Sequence, residues 1–187
     1  MSKLYFTRHG QTIWNVEGKV CGATDIELTE LGHKQAIELG ERIKADKNIK
    51  IDEIVASPLI RAKNTAKHIS EITGIPMYTD MRVIEQNFGK YEGGGRRSKE
   101  FSEARNNFVY SFDGGESMLK VASRVYNILD EMKKDKDKTY LIVAHNGIAR
   151  IVNSYFKDMA NEDFAAYAIK NCELLCYEFE NTNKEAD

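Results

Sequence analysis

The chain has little of what marks secreted, fibrous or membrane-spanning proteins. Among 187 residues there are three cysteines, two prolines and one tryptophan. Three thiols are too few, and odd in number, for a disulfide-stapled secreted scaffold. Cys172 and Cys176 flank Glu173-Leu174-Leu175 in a strand-like run, on one face but about 13 Å apart, too far to bridge. They read as small buried hydrophobes, and no His/Cys cluster has the spacing of zinc ligands. No apolar run approaches the ~18 residues of a membrane span. Met1-Ser2-Lys3 leads straight into a strand-like segment, so no export signal is read. Charge of one sign is missing too: 27 basic against 29 acidic residues leave a net of -2, unlike a generic nucleic-acid binder. The expectation is a soluble cytoplasmic protein with neither nucleic acid nor membrane as partner. Oligomeric state stays open, since no coiled-coil heptads occur.

What is present is an ordinary globular balance, 42% hydrophobic and 30% charged. Leu4-Tyr5-Phe6-Thr7, Ile54-Val55-Ala56-Ser57 and Tyr140-Leu141-Ile142-Val143-Ala144 are continuous apolar runs, the pattern of strands buried on both faces. Each precedes a helical pattern. Thr29 caps one predicted helix through about Asp46, and Ser57-Pro58 reads as the Ncap-N1 pair of another reaching about Thr73. Met118, Val121, Val125, Ile128, Leu129 and Met132 form a third apolar stripe at helical spacing. The alternation predicts an α/β three-layer sandwich, a mainly parallel sheet with helices on both faces. Further strands are expected near 166–169 and 174–179, as an antiparallel edge.

Residues 86–117 break the pattern with Gly89, Gly93-Gly94-Gly95, Arg96-Arg97 and Gly114-Gly115. They read as a lid or specificity insertion carrying a short helix over about 98–109. The polar tail 181–187 reads as frayed. No repeat or linker divides the chain, so residues 1–187 are taken as one domain.

Chemistry gathers at the strand ends. Arg8-His9 follow the first apolar run, Arg61 starts the helix after the second, and His145-Asn146-Gly147 follow the third. In open α/β sheets ligands bind beyond the carboxyl ends of the strands. Two histidines, two arginines and helix N-termini on one rim form an anion site suited to a phosphoryl group. His33 and His68 lie inside helical patterns and read as surface residues.

These residues resemble the histidine phosphatase superfamily, also called the phosphoglycerate mutase-like family. The resemblance rests on Arg8-His9-Gly10-Gln11-Thr12 with Asn15, then Leu28-Thr29 with Gly32 and Gln35-Ala36. It continues through Ser57-Pro58-Leu59-Ile60-Arg61-Ala62, Glu85 ahead of Phe88-Gly89 and Glu92-Gly93, Gly114-Gly115-Glu116-Ser117, and Ala144-His145-Asn146-Gly147. It spans about residues 3–180. It implies that His9 is a nucleophile forming a phosphohistidine, with Arg8, Arg61 and, if protonated, His145 binding the phosphoryl oxygens. Glu85 falls on the proton donor, and Asn15, Cys21, Gly22 and Asn146 fall on substrate-binding positions. No cofactor and no metal are implied.

Two departures from the family pattern bear on the substrate pocket. Asn146 stands where many members carry glycine, and Tyr91 stands where a tryptophan is common. Arg96, Arg97 and Lys99 read first as a solvated basic loop, with contact to an acidic substrate as the alternative. The short chain and Gly114-Gly115-Glu116-Ser117 resemble the phosphatase branch. The expectation is therefore a metal-independent phosphomonoesterase acting on a small phosphorylated metabolite. The alternatives are mutase-type phosphoryl transfer and a non-catalytic module that binds phosphorylated ligands.

Overall fold

The computed structural model describes residues 3–179; the tail expectation for 181–187 lies outside them. In chain order the elements are β1 (Lys3–Arg8), α1 (Ile13–Val16), α2 (Glu30–Ala45), β2 (Glu53–Ala56), α3 (Ile60–Thr73) and β3 (Met77–Thr79). There follow α4 (Lys99–Arg105), α5 (Met118–Lys134), β4 (Tyr140–Ala144), α6 (Asn146–Phe156), α7 (Asn161–Ala166) and β5 (Leu174–Glu178).

The strands form one sheet in the order β3-β2-β4-β1-β5. β1 and β2 flank β4 in parallel ladders, β3 pairs with β2 in parallel, and β5 closes the β1 edge antiparallel. Successive side chains on a strand face opposite ways, which explains the unbroken apolar runs. Leu4, Phe6, Ile142 and Ala144 pack beneath α5 and α6. Tyr5, Ile54, Leu141 and Val143 pack beneath α2 and α3. The architecture is the predicted α/β sandwich. Among the described residues no helix is long and apolar enough to cross a membrane.

The helices follow their sequence signals closely. The Thr29 hydroxyl accepts from Gly32 N at 3.0 Å and starts α2, and the buried stripe of α5 is the predicted one. The start of α3 differs from expectation. Leu59 holds its cap position, and Asp25, distant in sequence, accepts from Ile60 N at 2.7 Å. Ser57 is engaged elsewhere, paired through Oγ with His145 Nε2 at 2.7 Å.

Three local expectations need correction. The segment 166–169 is not a strand, because Ala166 ends α7 and side chains take the backbone groups that follow. Asn146 Oδ1 accepts from Ile169 N at 3.0 Å, Arg150 Nε donates to Tyr167 O at 2.9 Å, and Arg8 donates to Ile169 O at 3.1 Å. Cys172 precedes β5 with φ +54° and is buried, whereas Cys176 is exposed, so the two thiols do not share a buried face. The helix predicted over 98–109 is α4, ending at Arg105, and the short, half-exposed β3 was missed.

The 86–117 region folds over one end of the sheet around its own small core of Val20, Phe88, Phe101 and Phe112. Antiparallel contacts to residues 18–20 tie it down: Gly93 N to Val20 O, Val20 N to Gly94 O and Arg96 N to Gly18 O, all 2.8 to 2.9 Å. Gly89, at φ +51°, packs against the Phe112 carbonyl where a Cβ would have no room.

Candidate active site

Parallel pairing brings three strand ends to one edge. His9 N donates to Ala144 O at 3.0 Å and Ser57 N donates to Val143 O at 3.0 Å, so the three chains leave the sheet in register. The His9 and His145 rings lie 5.2 Å apart between centroids. A cavity of about 380 Å³ opens there, lined among others by Arg8, His9, Asn15, Cys21, Glu85 and Asn146.

His9 is 4% exposed, and its Nδ1 lies 2.7 Å from Gly10 O. A carbonyl only accepts, so Nδ1 carries the proton, and in a neutral ring Nε2 keeps a free lone pair. Burial first, then the neighbouring Arg8 and Arg61 charges, hold the His9 pKa well below the ordinary imidazole value. The ring is therefore neutral at physiological pH. His145 is lowered in the same way, by burial and then by Arg61, which favours the neutral ring over the protonated form in which it would add charge. If Ser57 donates its hydroxyl proton to Nε2, Nδ1 of His145 is a buried donor without an acceptor.

Arg61 and His145 lie beneath the cavity rather than in its wall, each 0% exposed. Arg61 donates to Gly22 O at 2.7 Å and to Thr24 O at 2.8 Å, and its Nε has no partner. Gly22 therefore does not line the cavity as expected; its carbonyl holds the guanidinium. Arg8 Nε is a further buried donor without a partner, and burial brings the Arg8 pKa down to about 10. Cys21 does line the cavity, its thiol pushed up by burial to about 11, so it is protonated.

Glu85 is 6% exposed and held from several directions. Its carboxylate accepts from Gln86 N at 3.0 Å and Gly147 N at 3.1 Å. A Cβ at Gly147 would run into Glu85 Oε1, so the glycine in His145-Asn146-Gly147 is what permits this approach. Arg124 fixes the backbone behind it, donating to Arg82 O at 2.6 Å while Glu116 grips it at 2.9 and 2.8 Å. Asn146 is tied to the 167–169 segment through Ile169 N and Tyr167 O. Asn15 accepts from Asn171 Nδ2 at 3.3 Å, and the same amide donates to His9 O at 2.7 Å.

Sequence reasoning left several supporting residues unassigned. Glu92 is the main one: it accepts from Ala23 N and Thr24 N at 2.8 Å, from Phe88 N at 3.1 Å, and from the Thr24 hydroxyl. It thereby fixes the loop whose carbonyls hold Arg61. Arg105 and Arg150 also line the cavity, with Arg96, whereas Arg97 and Lys99 lie outside its lining. The signal for Arg150 was its position five residues after His145, on the first turns of α6. His33 and His68 do not line the cavity and bond to each other across α2 and α3 at 2.9 Å.

The family model described as "Histidine phosphatase superfamily (branch 1)" matches residues 4–187. A Yersinia pestis protein named "Probable phosphoglycerate mutase GpmB" is 29% identical over 190 residues, covering 97% of this chain and 87% of its own. Among solved structures, a mycobacterial glucosyl-3-phosphoglycerate phosphatase in complex with VO3 is similar. It has a TM-score of 0.83 and 26% identity, with 94% of this chain and 90% of that one covered. Bacillus stearothermophilus YhfR is similar at a TM-score of 0.82 and 28% identity, covering 95% of this chain and 91% of that one. With its motifs meeting at one sheet edge, the chain belongs to the histidine phosphatase superfamily, branch 1, whose enzymes are phosphatases or mutases.

Proposed function

We propose that the protein is a phosphomonoesterase that hydrolyses a small phosphorylated metabolite through a phosphohistidine on His9. The observation that carries this is the His9 ring: neutral, its Nδ1 proton tied to Gly10 O, its Nε2 lone pair free beside a cavity that Glu85 shares. Nε2 attacks phosphorus in line, the P–N bond forms, and the bond to the ester oxygen breaks. Glu85 gives its proton to the leaving oxygen, then takes one from the water that attacks the phosphohistidine and releases phosphate. Arg8, Arg61 and His145 Nδ1–H supply charge and donors to the three outer phosphoryl oxygens, with Asn15 adjacent. Guanidinium charge serves where other phosphatases use a metal, and no cofactor enters the scheme. The vanadate complex of the mycobacterial relative supports a seat for a five-coordinate phosphoryl group.

The test is single turnover of p-nitrophenyl phosphate in EDTA, following phenol release and phosphate bound to protein, with His9→Ala alongside. A burst and a base-stable, acid-labile phosphoprotein, absent in the variant, are expected, followed by steady release. A phosphoenzyme that stalls until phosphoglycerate is added supports mutase-type transfer, the activity in the Yersinia relative's name. Retained activity in His9→Ala refutes the nucleophile, and strong inhibition by EDTA refutes metal independence. Binding without turnover across a panel of esters favours a non-catalytic module.

A further inference from the structure

The fold brings together two histidines that neither the phosphoryl site nor the core uses. His33 on α2 and His68 on α3 stand 35 residues apart in sequence, and both are half-buried. His33 Nδ1 and His68 Nε2 are 2.9 Å apart, and the rings meet edge-on at 90° with centroids 5.2 Å apart. One nitrogen donates its hydrogen and the other accepts. Because neither ring is fully buried, water reaches the pair.

The two helices hold these rings in place. Gly40 of α2 packs on Ile69 and Ile72 of α3, where a Cβ would come within 2.9 Å of Ile72 Cδ1, so the backbones approach closely. Ahead of α2, Asp25 accepts from Ile60 N at 2.7 Å and Glu27 from Asn64 Nδ2 at 2.8 Å, both on α3. Fixing two ligating groups beforehand cuts the entropy cost of binding between them.

A hydrogen already bridges the two nitrogens, and a metal ion can bridge the same atoms. Two imidazoles at about 2.0–2.1 Å from a tetrahedral zinc ion have nitrogens about 3.4 Å and ring centres about 5.2 Å apart. The centroids here already stand 5.2 Å apart. Turning each ring by about 35°, without drawing the two apart, aims both lone pairs at one point. The bridging hydrogen then moves to the other nitrogen of its own ring, exchanged through water, and two neutral imidazoles lose no net proton. Burial first, then His33, lowers the His68 pKa, which keeps its lone pair available near neutral pH. The adjacent Lys67 is answered by Glu71 at 3.7 Å.

We propose that His33 and His68 form a seat for a divalent transition-metal ion of the zinc class, a staple between α2 and α3. Among the described residues no cluster of three or more His, Cys, Asp or Glu could hold a metal, so water fills the other coordination positions. The staple lies on the two helices that brace the loop after His9. Gln35 of α2 accepts from Gln11 N at 2.9 Å, and Thr65 of α3 accepts from Gly10 N at 3.0 Å. Both histidines stay outside the cavity lining, so the ion takes no part in phosphoryl chemistry and the proposal is independent of the phosphatase reading.

The test is zinc binding by the full chain, stripped with EDTA and then freed of it, read by equilibrium dialysis and a thermal melt. One equivalent is expected to bind with a Kd well below about 1 mM. At free zinc about ten times that Kd, Tm should rise by roughly 3–6 °C. His33→Gln and His68→Gln should each weaken binding at least about tenfold and remove the rise, because either change leaves a single imidazole. Neither residue belongs to the catalytic machinery, so both variants should keep the parent's turnover of p-nitrophenyl phosphate in EDTA, which verifies their fold. Imidazole nitrogen resonances read the seat directly: zinc should shift His33 Nδ1 and His68 Nε2 and leave His9 and His145 in place. No binding by about 1 mM zinc, binding unchanged in either variant, or shifts confined to other histidines overturns the seat.

Discussion

Replacing Glu92 with glutamine tests whether the loop that holds Arg61 depends on a single carboxylate. Glu92 Oε1 accepts from Ala23 N and Phe88 N, and Oε2 accepts from Thr24 N and its hydroxyl. A glutamine must turn its NH2 toward one of these pairs. Facing Thr24 is the lesser loss, because the hydroxyl can reverse and accept while only Thr24 N is left unpaired. The remaining bonds drop from charged to neutral, about 1.5–3 kcal/mol each becoming about 0.5–1.5. With the carboxylate half-buried, we expect a net loss of about 2 kcal/mol, or roughly 4–8 °C in Tm for a domain of this size. The same loop carries Gly22 O and Thr24 O, the acceptors that hold the Arg61 guanidinium. A shift of about 1 Å there should slow the His9 phosphorylation step by 10- to 100-fold. The assay pairs a thermal melt with the single-turnover burst. An unchanged Tm would show that the four bonds do not stabilise the loop. A lowered Tm with a burst rate within twofold of the parent would break the link from Glu92 to Arg61.

Gly147→Ala should push Glu85 aside and remove the bond from Gly147 N. Alkyl phosphate hydrolysis then falls about 100-fold while p-nitrophenyl phosphate, whose leaving group needs no proton, falls much less. Equal losses on both would contradict Glu85 as the acid. Stability should also depend on pH through the histidines. Both His9 and His145 are held well below their ordinary value in the fold, so below about pH 6.5 the unfolded chain takes up protons that the native state does not. Stability is therefore full above that value and is lost as pH falls, by up to about 1.4 kcal/mol per histidine per unit. Urea melts of the parent and His9→Ala between pH 7 and 5 should differ in slope by about one histidine, and parallel slopes would refute it. Asn146→Gly restores the commoner family residue but frees Ile169 N, while Tyr167 O keeps its bond from Arg150 Nε. It should cost about 1 kcal/mol and raise KM more than it lowers kcat, and steady-state kinetics with an unchanged KM would count against the tether.

The fold was legible where burial repeats at a fixed period. Leu4–Thr7 and Tyr140–Ala144 are apolar at every position because helices cover both faces of β1 and β4, and the stripe of α5 repeats one face. Legibility failed where a side chain distant in sequence replaced a local partner. Asp25 caps α3 in place of Ser57, and Arg8, Asn146 and Arg150 take the backbone groups that would have made 167–169 a strand. No window of neighbouring residues contains those substitutions. The site divides likewise: His9, Glu85 and Arg61 stand in short motifs, whereas Glu92, Arg105 and Arg150 acquire their places only through tertiary packing.

The buried polar atoms bear on the proposed phosphoryl seat. Native proteins leave few such atoms unpaired, and each costs about 1–3 kcal/mol. Among the described residues four side-chain atoms are buried without a partner: Arg8 Nε, Arg61 Nε, His145 Nδ1 and Gln86 Oε1. The first two are obligate donors, and the third is one when Ser57 holds Nε2 as its acceptor. All three belong to the residues around His9, and the fourth adjoins Glu85. A core optimised for stability would replace Arg61, the largest fully buried side chain, with a hydrophobe. On the proposed mechanism its presence, with two donor neighbours equally unsatisfied, is accounted for by a tetrahedral group of acceptor oxygens that satisfies all three at once. In the same proposal the cations that, after burial, lower the His9 pKa are the ones that hold its electrophile, so one arrangement would both free the nucleophile and bind what it attacks.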